Sequence, residues 1–234
     1  MDLTQKSQNE KWEIISTLIK KGYLAHGGTK MFNEFDPKHI QGGCRGEYGY
    51  GFYFSNEAYK PIEYGGHFYF TKQDIYNFCN LNNIQTNPLL EFENKIVEAE
   101  YGLDNATNNK QYEYYTEMYE KYSDLNEQEK LYLHLFNYAM KKIKYEAKNA
   151  IKYAIGNAPS YFNPKYLSNL FLKLGYDGII AENQFVIFNF EKLNKNLLKI
   201  ELNNYDEFMN NQIEEKRKEF KSILEKIENV KYGK

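Results

Sequence analysis

Four residues in the first third of the chain have the side chains and the spacing to hold a flat, polar heterocycle. His26 and Gly27 end one short apolar run, Tyr53 lies in a second run, and Tyr64 follows eleven residues later. Because glycine has no Cβ, a ligand can approach the backbone closely at Gly27. Two aromatic faces can enclose a planar ring. His26 or Tyr53 alone would be an ordinary structural residue, and it is the combination that predicts a site.

Short strands must position these residues, because they lie in aromatic and aliphatic runs punctuated by glycine. The predicted strands cover 23–25, 50–55, 67–71, 179–181 and 184–189. Helices are predicted where apolar residues recur every three or four positions or where the composition is helical. They cover 8–21, 73–79, 111–122, 126–155, 163–174 and 206–230, and one helical turn over 56–64 ends at Tyr64.

Residues typical of helix ends support two of these helices. Asn163 is a natural N-cap, Pro164 suits the first helical position, and Gly175 suits the position after the last turn. Asn126 with Glu129 three residues later resembles a helix N-terminus.

A late pair of strands provides the third part of the pattern. Glu182 and Asn183 predict a tight turn after residues 178–181. Gln184 then opens a strand whose aromatic and aliphatic residues, 185–188, can anchor it. The Gln184 side chain is therefore free to point into a cleft.

Together these segments resemble the nicotinamide-binding core of the His-Tyr-Glu ADP-ribosyltransferases, the class of diphtheria-toxin-like toxins and poly(ADP-ribose) polymerases. The resemblance rests on His26-Gly27, on Gly51 to Phe54, on Tyr64 and on the strand that Gln184 opens, and it covers 23–70 and 163–193. It implies an α+β fold in which a split pair of small, mostly antiparallel sheets surrounds an NAD cleft. We expect a single domain over 1–234, with a helical insertion at about 88–155.

The resemblance also implies NAD as substrate and assigns roles to individual residues. The Gly27 N–H and C=O would hold the nicotinamide carboxamide, and Tyr53 and Tyr64 would sandwich the ring. His26 would hydrogen-bond the adenosine-ribose hydroxyls. Thr29 stands near the Ser or Thr that the family places directly after His-Gly, although Gly28 intervenes.

Catalysis in this family depends on a Glu at the position of Gln184. Gln keeps the hydrogen bond to ribose but loses the charge that stabilises a cationic transition state. Because family members that lack this Glu often still transfer single ADP-ribose units, the resemblance implies single transfer rather than polymer synthesis. Glu182 could substitute for the missing carboxylate, or it could be a solvated turn residue. Asp177 and Glu191 are weaker candidates.

Two further positions near the expected cofactor are ambiguous or depart from the family. Arg45 could reach the NAD pyrophosphate, since Arg forms bidentate pairs with phosphate, or it could be a solvated loop residue. Pro61 stands where the family has a Ser that holds the carboxamide, and proline has no N–H to donate.

Composition narrows the possible partners and compartment. The formal net charge is −2, which favours a protein acceptor over a nucleic acid. Two lone cysteines, the absence of a signal peptide and the absence of a long apolar run predict a cytoplasmic protein without membrane contact. The histidines and cysteines show no metal-binding spacing. Four lysines recur along the predicted 126–155 helix and form either a solvated face or a docking face for an acidic partner; they are Lys141, Lys144, Lys148 and Lys152.

The predicted function is mono-ADP-ribosyl transfer from NAD to a macromolecule, by a toxin, an effector or a phage-encoded modifier of host machinery. Three alternatives remain open: a non-catalytic binder of NAD or ADP-ribose, an interaction protein that works through its helices, and an NAD glycohydrolase.

Overall fold

A computed structural model describes residues 5–40, 47–57, 59–82 and 88–202. Its strands form one sheet in the order β4-β5-β6-β2-β1-β3-β7, in which only β4 and β5 are parallel. The strands are β1 (Tyr23–Gly28), β2 (Phe52–Ser55), β3 (His67–Lys72), β4 (Phe78–Asn80), β5 (Gly178–Ala181), β6 (Gln184–Ile187) and β7 (Leu198–Glu201). Arg45 and the predicted 206–230 helix lie outside the described residues.

Helices cover both faces of this sheet and link its halves. They are α1 (Gln8–Lys20), α2 (Tyr59–Ile62), α3 (Pro88–Asn105), α4 (Asn109–Ser123), α5 (Glu127–Tyr138), α6 (Ala147–Asn157), α7 (Lys165–Lys173) and α8 (Phe190–Lys195). Short 3₁₀ turns cover Pro37–His39 and Gln73–Ile75, and a π-helical segment covers Ala139–Ile143. In the described part of the chain, no helix is both long enough and apolar enough to cross a membrane.

The expectation of two separate sheets is wrong, because the seven strands form one continuous mixed sheet. The pairing is weakest between β1 and β2, where Ala25 and Ser55 are the one pair of residues that joins the two strands. On either side the pairing is extensive, with β1 joined to β3 along its whole length and β2 to β6 along its whole length. The sheet therefore consists of two well-paired halves that separate beyond Ala25 and Ser55.

Two groups of helices cover the same face of the two halves. Helix α1 packs Ile15 against the half that contains β1 and β3. Helices α5 to α7 pack against the other half, with Phe136, Ile151 and Phe171 in a core shared with Val186 of β6. Alternation along β2 places Tyr53 and Ser55 on this helical face and Phe52 and Phe54 on the opposite face. The opposite face is covered by a cluster around Phe35.

Several predicted elements are confirmed. Helix α1 matches the predicted 8–21 helix and is followed by Gly22 with φ of +81°. Asn126 and Glu129 form a capping box at the start of α5. The Asn163 carboxamide accepts from the Lys165 N–H at the start of α7.

Two helix predictions are wrong. Residues 73–79 form a 3₁₀ turn and strand β4, because Phe78 and Cys79 pair with the otherwise open edge of β5. The single helix over 126–155 would be roughly 45 Å long. Instead the chain breaks at Lys144, which has a left-handed φ of 65°, so that α5 and α6 pack side by side on one core.

This break divides the predicted lysine face. Lys141 lies in the π-helical segment and Lys144 in the turn, whereas Lys148 and Lys152 lie on α6. Lys141 pairs with Glu93 at 2.7 Å, and Lys148 pairs with Glu146 at 3.4 Å. The four lysines therefore do not form one helix face, and docking of an acidic partner there stays an untested prediction.

Asp177 ties three segments together at the entrance to β5. Its carboxylate accepts from the Asn77 N–H at 2.9 Å, from the Asn189 side chain at 2.7 Å and from Lys192 Nζ at 2.6 Å. Burial would raise the pKa of Asp177, but these hydrogen bonds outweigh it and the pKa lies below its ordinary value. Asp177 thus has a structural role in linking β4, β5 and α8.

We predict that Asp177→Asn lowers the free energy of unfolding at pH 7 by about 2 kcal/mol, the scale for losing charged hydrogen bonds. Because the folded-state pKa is depressed, the contribution is present above the unfolded-state pKa of about 3.9 and is lost as the pH falls through the folded value. Urea denaturation from pH 7 to pH 3 measures this difference. A difference that does not shrink below pH 4 would contradict the assignment. Glu191→Gln, which removes an exposed carboxylate from α8, should have little effect.

Candidate functional site

A cavity of about 480 Å³ lies where β1 and β2 separate. Five of the residues predicted from the sequence line it, namely His26, Gly27, Tyr53, Tyr64 and Gln184. The other lining residues are Ala25, Phe54, Ser55, Lys60, Pro61 and Glu63. A volume of this size lies in the range of small-molecule and cofactor sites.

The register of β1 directs the backbone of Gly27 towards this cavity. The Gln73 N–H donates to the Gly22 carbonyl at 3.0 Å, so the even-numbered residues of β1 make the hydrogen bonds to β3. In an antiparallel ladder the alternate residues bond to the strand on the other side. Ala25 does so with Ser55, but β2 has already diverged at the level of Gly27. The Gly27 N–H and C=O therefore face the cavity, and no described strand pairs with them on this side.

Helix α2 lies directly against Gly27. A Cβ built on Gly27 would lie 1.8 Å from the carbonyl oxygen of Pro61, so no side chain fits at this position. Pro61 is buried and lines the cavity. Glycine thus has two effects here, since it lets α2 approach β1 and leaves the strand backbone accessible.

His26 forms the bridge between the two diverging strands. Its Nδ1 lies 2.8 Å from the carbonyl oxygen of Tyr53. Since a carbonyl only accepts, Nδ1 carries the proton, and in the neutral ring Nε2 is left as an acceptor. The ring packs among Phe35, Phe54 and Tyr69, at centroid distances of 5.2, 5.4 and 6.1 Å. Burial lowers the pKa of His26, more than the bond to Tyr53 raises it, which favours the neutral form.

The two tyrosines of the cavity differ in rigidity. The Tyr53 hydroxyl accepts from the Tyr48 N–H and donates to the Gly49 carbonyl, each at 3.1 Å. Burial raises the pKa of Tyr53, so the phenol stays protonated. Tyr64 follows α2, its N–H donates to the Pro61 carbonyl, and it is 64% exposed. Tyr53 is thus a fixed wall of the cavity, and Tyr64 has an open face at its rim.

Gln184 begins β6 beside Ser55, with which it pairs across the strands. Paired residues of neighbouring strands point to the same side of a sheet, so Gln184, Ser55 and Ala25 form one row at the base of the cavity. The Ser55 hydroxyl oxygen accepts from the Glu57 N–H at 3.0 Å, which leaves its hydrogen available to a ligand. The base of the cavity is therefore polar and carries no carboxylate.

Glu182 is not among the residues that line the cavity. It lies in the tight turn before β6 with φ of 54°, and its backbone is held by the Asn82 side chain. Its carboxylate lies 3.6 Å from Lys152 of α6. Thr29 also lies apart, in the exposed bend after β1.

Sequence reasoning missed Ser55, Lys60 and Glu63 as cavity residues. Ser55 could have been found from strand alternation, since it lies two residues after Tyr53 and shares its face. Lys60 and Glu63 carry no such signal, because a single turn of helix gives no periodicity from which to read a face. Lys60 pairs with Glu57 at 3.5 Å.

Comparisons with family models, curated proteins and solved structures find no match to this chain. Within the described ranges, no three His, Cys, Asp or Glu side chains cluster as a metal site.

We predict that Gly27→Ala lowers the free energy of unfolding by about 1–3 kcal/mol, the cost of overpacking, because its methyl group would overlap the Pro61 carbonyl. Thermal or urea denaturation measures the change. Gly156→Ala is the matched control: a Cβ there meets no atom within 4 Å, and Gly156 lies inside α6. It should instead stabilise the protein by about 0.5–1 kcal/mol. Wild-type stability of Gly27→Ala would show that α2 does not lie against β1 as described.

Proposed function

We propose that this protein is a mono-ADP-ribosyltransferase that transfers ADP-ribose from NAD to a macromolecule. The observation that carries the proposal is the meeting of His26, Gly27, Tyr53, Tyr64 and Gln184 around one cavity. These residues come from three strands and one loop that are distant in sequence. Their resemblance to the nicotinamide-binding core of the His-Tyr-Glu class is thus supported by proximity in space as well as by order in the chain.

The unpaired backbone of Gly27 has one donor and one acceptor, which match the two halves of a carboxamide. Nicotinamide held there would lie beside the fixed ring of Tyr53, with Tyr64 available to cover its outer face. An offset or edge-on aromatic pair adds about 0.5–1.5 kcal/mol beyond the burial of area. Neutral His26 would accept a hydrogen bond from a ribose hydroxyl through Nε2, if the cofactor extends along β1.

Cleavage of the nicotinamide–ribose bond leaves positive charge on the ribose. Gln184, in the row at the base of the cavity, can hydrogen-bond a ribose hydroxyl but cannot neutralise that charge. Members of the His-Tyr-Glu class that lack this Glu often still transfer single ADP-ribose units, so the resemblance favours single transfer over polymer synthesis. We place the reaction in a cytosol, either that of the cell that makes the protein or that of a target cell reached by a toxin, an effector or a phage-encoded modifier.

The same neutral Gln184 favours a second candidate function, which is binding of NAD or ADP-ribose without cleavage. A binder needs Gly27 and the two tyrosines but has no need of a carboxylate at the ribose. An NAD glycohydrolase would need the same pocket and would transfer the ADP-ribosyl group to water.

The proposal predicts that the purified protein releases nicotinamide from NAD and transfers labelled ADP-ribose to a protein when a cell lysate is added. Release without label transfer would indicate a glycohydrolase. NAD binding by calorimetry with no release under either condition would establish a binder and contradict the transferase.

Tyr64→Ala should weaken NAD binding about tenfold, because it removes the stacking energy of one aromatic face. Tyr161→Ala, which removes a tyrosine that is 80% exposed on another surface, should leave NAD binding unchanged.

We predict that Gln184→Glu raises the rate of NAD cleavage at least about tenfold, which corresponds to about 1.4 kcal/mol of transition-state stabilisation. The reason is that a carboxylate at the base of the cavity would face the cationic ribose. Nicotinamide release under single-turnover conditions measures the chemical step. Gln111→Glu adds the same charge on α4, away from the cavity, and should have no effect. An unchanged rate in Gln184→Glu would mean that this position does not face the ribose.

A further inference from the structure

The proposed transfer requires a group that takes a proton from the acceptor, and the neutral amide of Gln184 cannot do so. An acceptor that attacks the ribose must lose a proton, and a carboxylate within reach is a suitable base. Among the described residues, four glutamates lie on or near the segments that surround the cavity, and they are Glu47, Glu57, Glu63 and Glu182. Their environments differ enough to separate them.

Three of the four are paired with a lysine. Glu47 lies 3.4 Å from Lys152 and does not line the cavity. Glu57 lies 3.5 Å from Lys60, accepts from the Asn183 side chain at 3.3 Å and does not line the cavity. Glu182 lies in the turn before β6 and pairs with Lys152 at 3.6 Å. Glu57 is thus paired with Lys60 at the edge of the cavity, and Glu182 is paired with Lys152 of α6.

Glu63 is the one carboxylate among the described residues that line the cavity. It follows α2, where its N–H donates to the Lys60 carbonyl at 3.2 Å and fixes its backbone. In the described part of the chain, no cation or hydrogen-bond donor pairs with its side chain. Glu63 is exposed and adjoins Tyr64, so it lies at the rim by which an acceptor from solvent would reach the cavity.

We propose that Glu63 is the general base of the transfer reaction, an inference that rests on the proposed function. In this step the bond between the ribose C1′ and the nicotinamide nitrogen breaks, and its electron pair goes to the nicotinamide ring. The acceptor oxygen or nitrogen forms the new bond to C1′, and the proton of the acceptor passes to the Glu63 carboxylate. The products are ADP-ribosylated acceptor, neutral nicotinamide and one proton, which Glu63 later releases to solvent.

Gln184 and Glu63 have different roles because they lie at different depths in the cavity. Gln184 lies at the base of the cavity and holds the ribose, whereas Glu63 lies at the rim and acts on the incoming acceptor. A rim location suits a macromolecular acceptor, because only a short part of a large molecule can enter a cavity of about 480 Å³.

The test compares Glu63→Gln and Glu63→Ala with wild type in nicotinamide release, under whichever condition gives wild-type activity, together with NAD affinity by calorimetry. General-base catalysis contributes about 10²–10⁴-fold, so we expect kcat to fall at least a hundredfold in both variants while the NAD dissociation constant stays within about twofold. Sodium formate should restore activity to Glu63→Ala but not to Glu63→Gln, since the smaller side chain leaves room for an external carboxylate. Glu98→Gln, on the exposed surface of α3, is the control and should resemble wild type.

Three outcomes distinguish a failure of this inference from a failure of the proposed function. If wild type cleaves NAD and Glu63→Gln does so equally well, Glu63 is not the base and the proposed function stands. If Glu63→Gln loses NAD affinity instead of kcat, the residue binds the cofactor, and the role as base is overturned. If wild type releases no nicotinamide under any condition, the proposed function fails and this inference fails with it.

Discussion

The hydrogen bond from the His26 ring to the Tyr53 carbonyl sets the geometry on which the site depends. In a regular sheet that carbonyl would bond to the backbone of β1, and the two strands would stay together beyond Ala25 and Ser55. A side-chain donor holds the strands farther apart but still linked. The separation creates the cavity and leaves the backbone of Gly27 without a strand partner. Protonation of His26 would leave this bond in place but would put a charge among buried aromatic rings. Burial therefore lowers the pKa of His26 and favours the neutral ring.

The cavity combines a rigid inner wall with an open rim. Tyr53 is fixed by two hydrogen bonds of its hydroxyl, and Gly27 is fixed by contact with Pro61. Tyr64 and Glu63 lie outside this frame on the exposed end of α2. Such an arrangement suits a reaction in which one substrate is bound deeply and the other arrives from solvent. If Glu63 at the rim provides the carboxylate, as proposed, the uncharged Gln184 in the floor of the cavity is compatible with catalysis.

Local sequence patterns predicted the individual strands and helix ends around this site better than they predicted how these elements pair and pack. The short aromatic runs identified β2, β3 and β6, and the residues Asn163 and Gly175 marked the ends of α7, because these signals are local. The helix predicted over 73–79 was wrong, since pairing with β5 decided its structure. Glu182 is a possible substitute for the missing carboxylate by its place in the sequence, but the tight turn gives it a left-handed backbone and a partner in α6. Only the three-dimensional arrangement distinguished it from Glu63.

The most direct test of this account is a crystal structure of the protein with a non-hydrolysable NAD analogue. The account predicts the nicotinamide ring between Tyr53 and Tyr64, with its carboxamide bonded to the N–H and C=O of Gly27 and a ribose hydroxyl on Gln184. Density for the analogue outside this cavity, or a nicotinamide ring that contacts neither Tyr53 nor Tyr64, would contradict it.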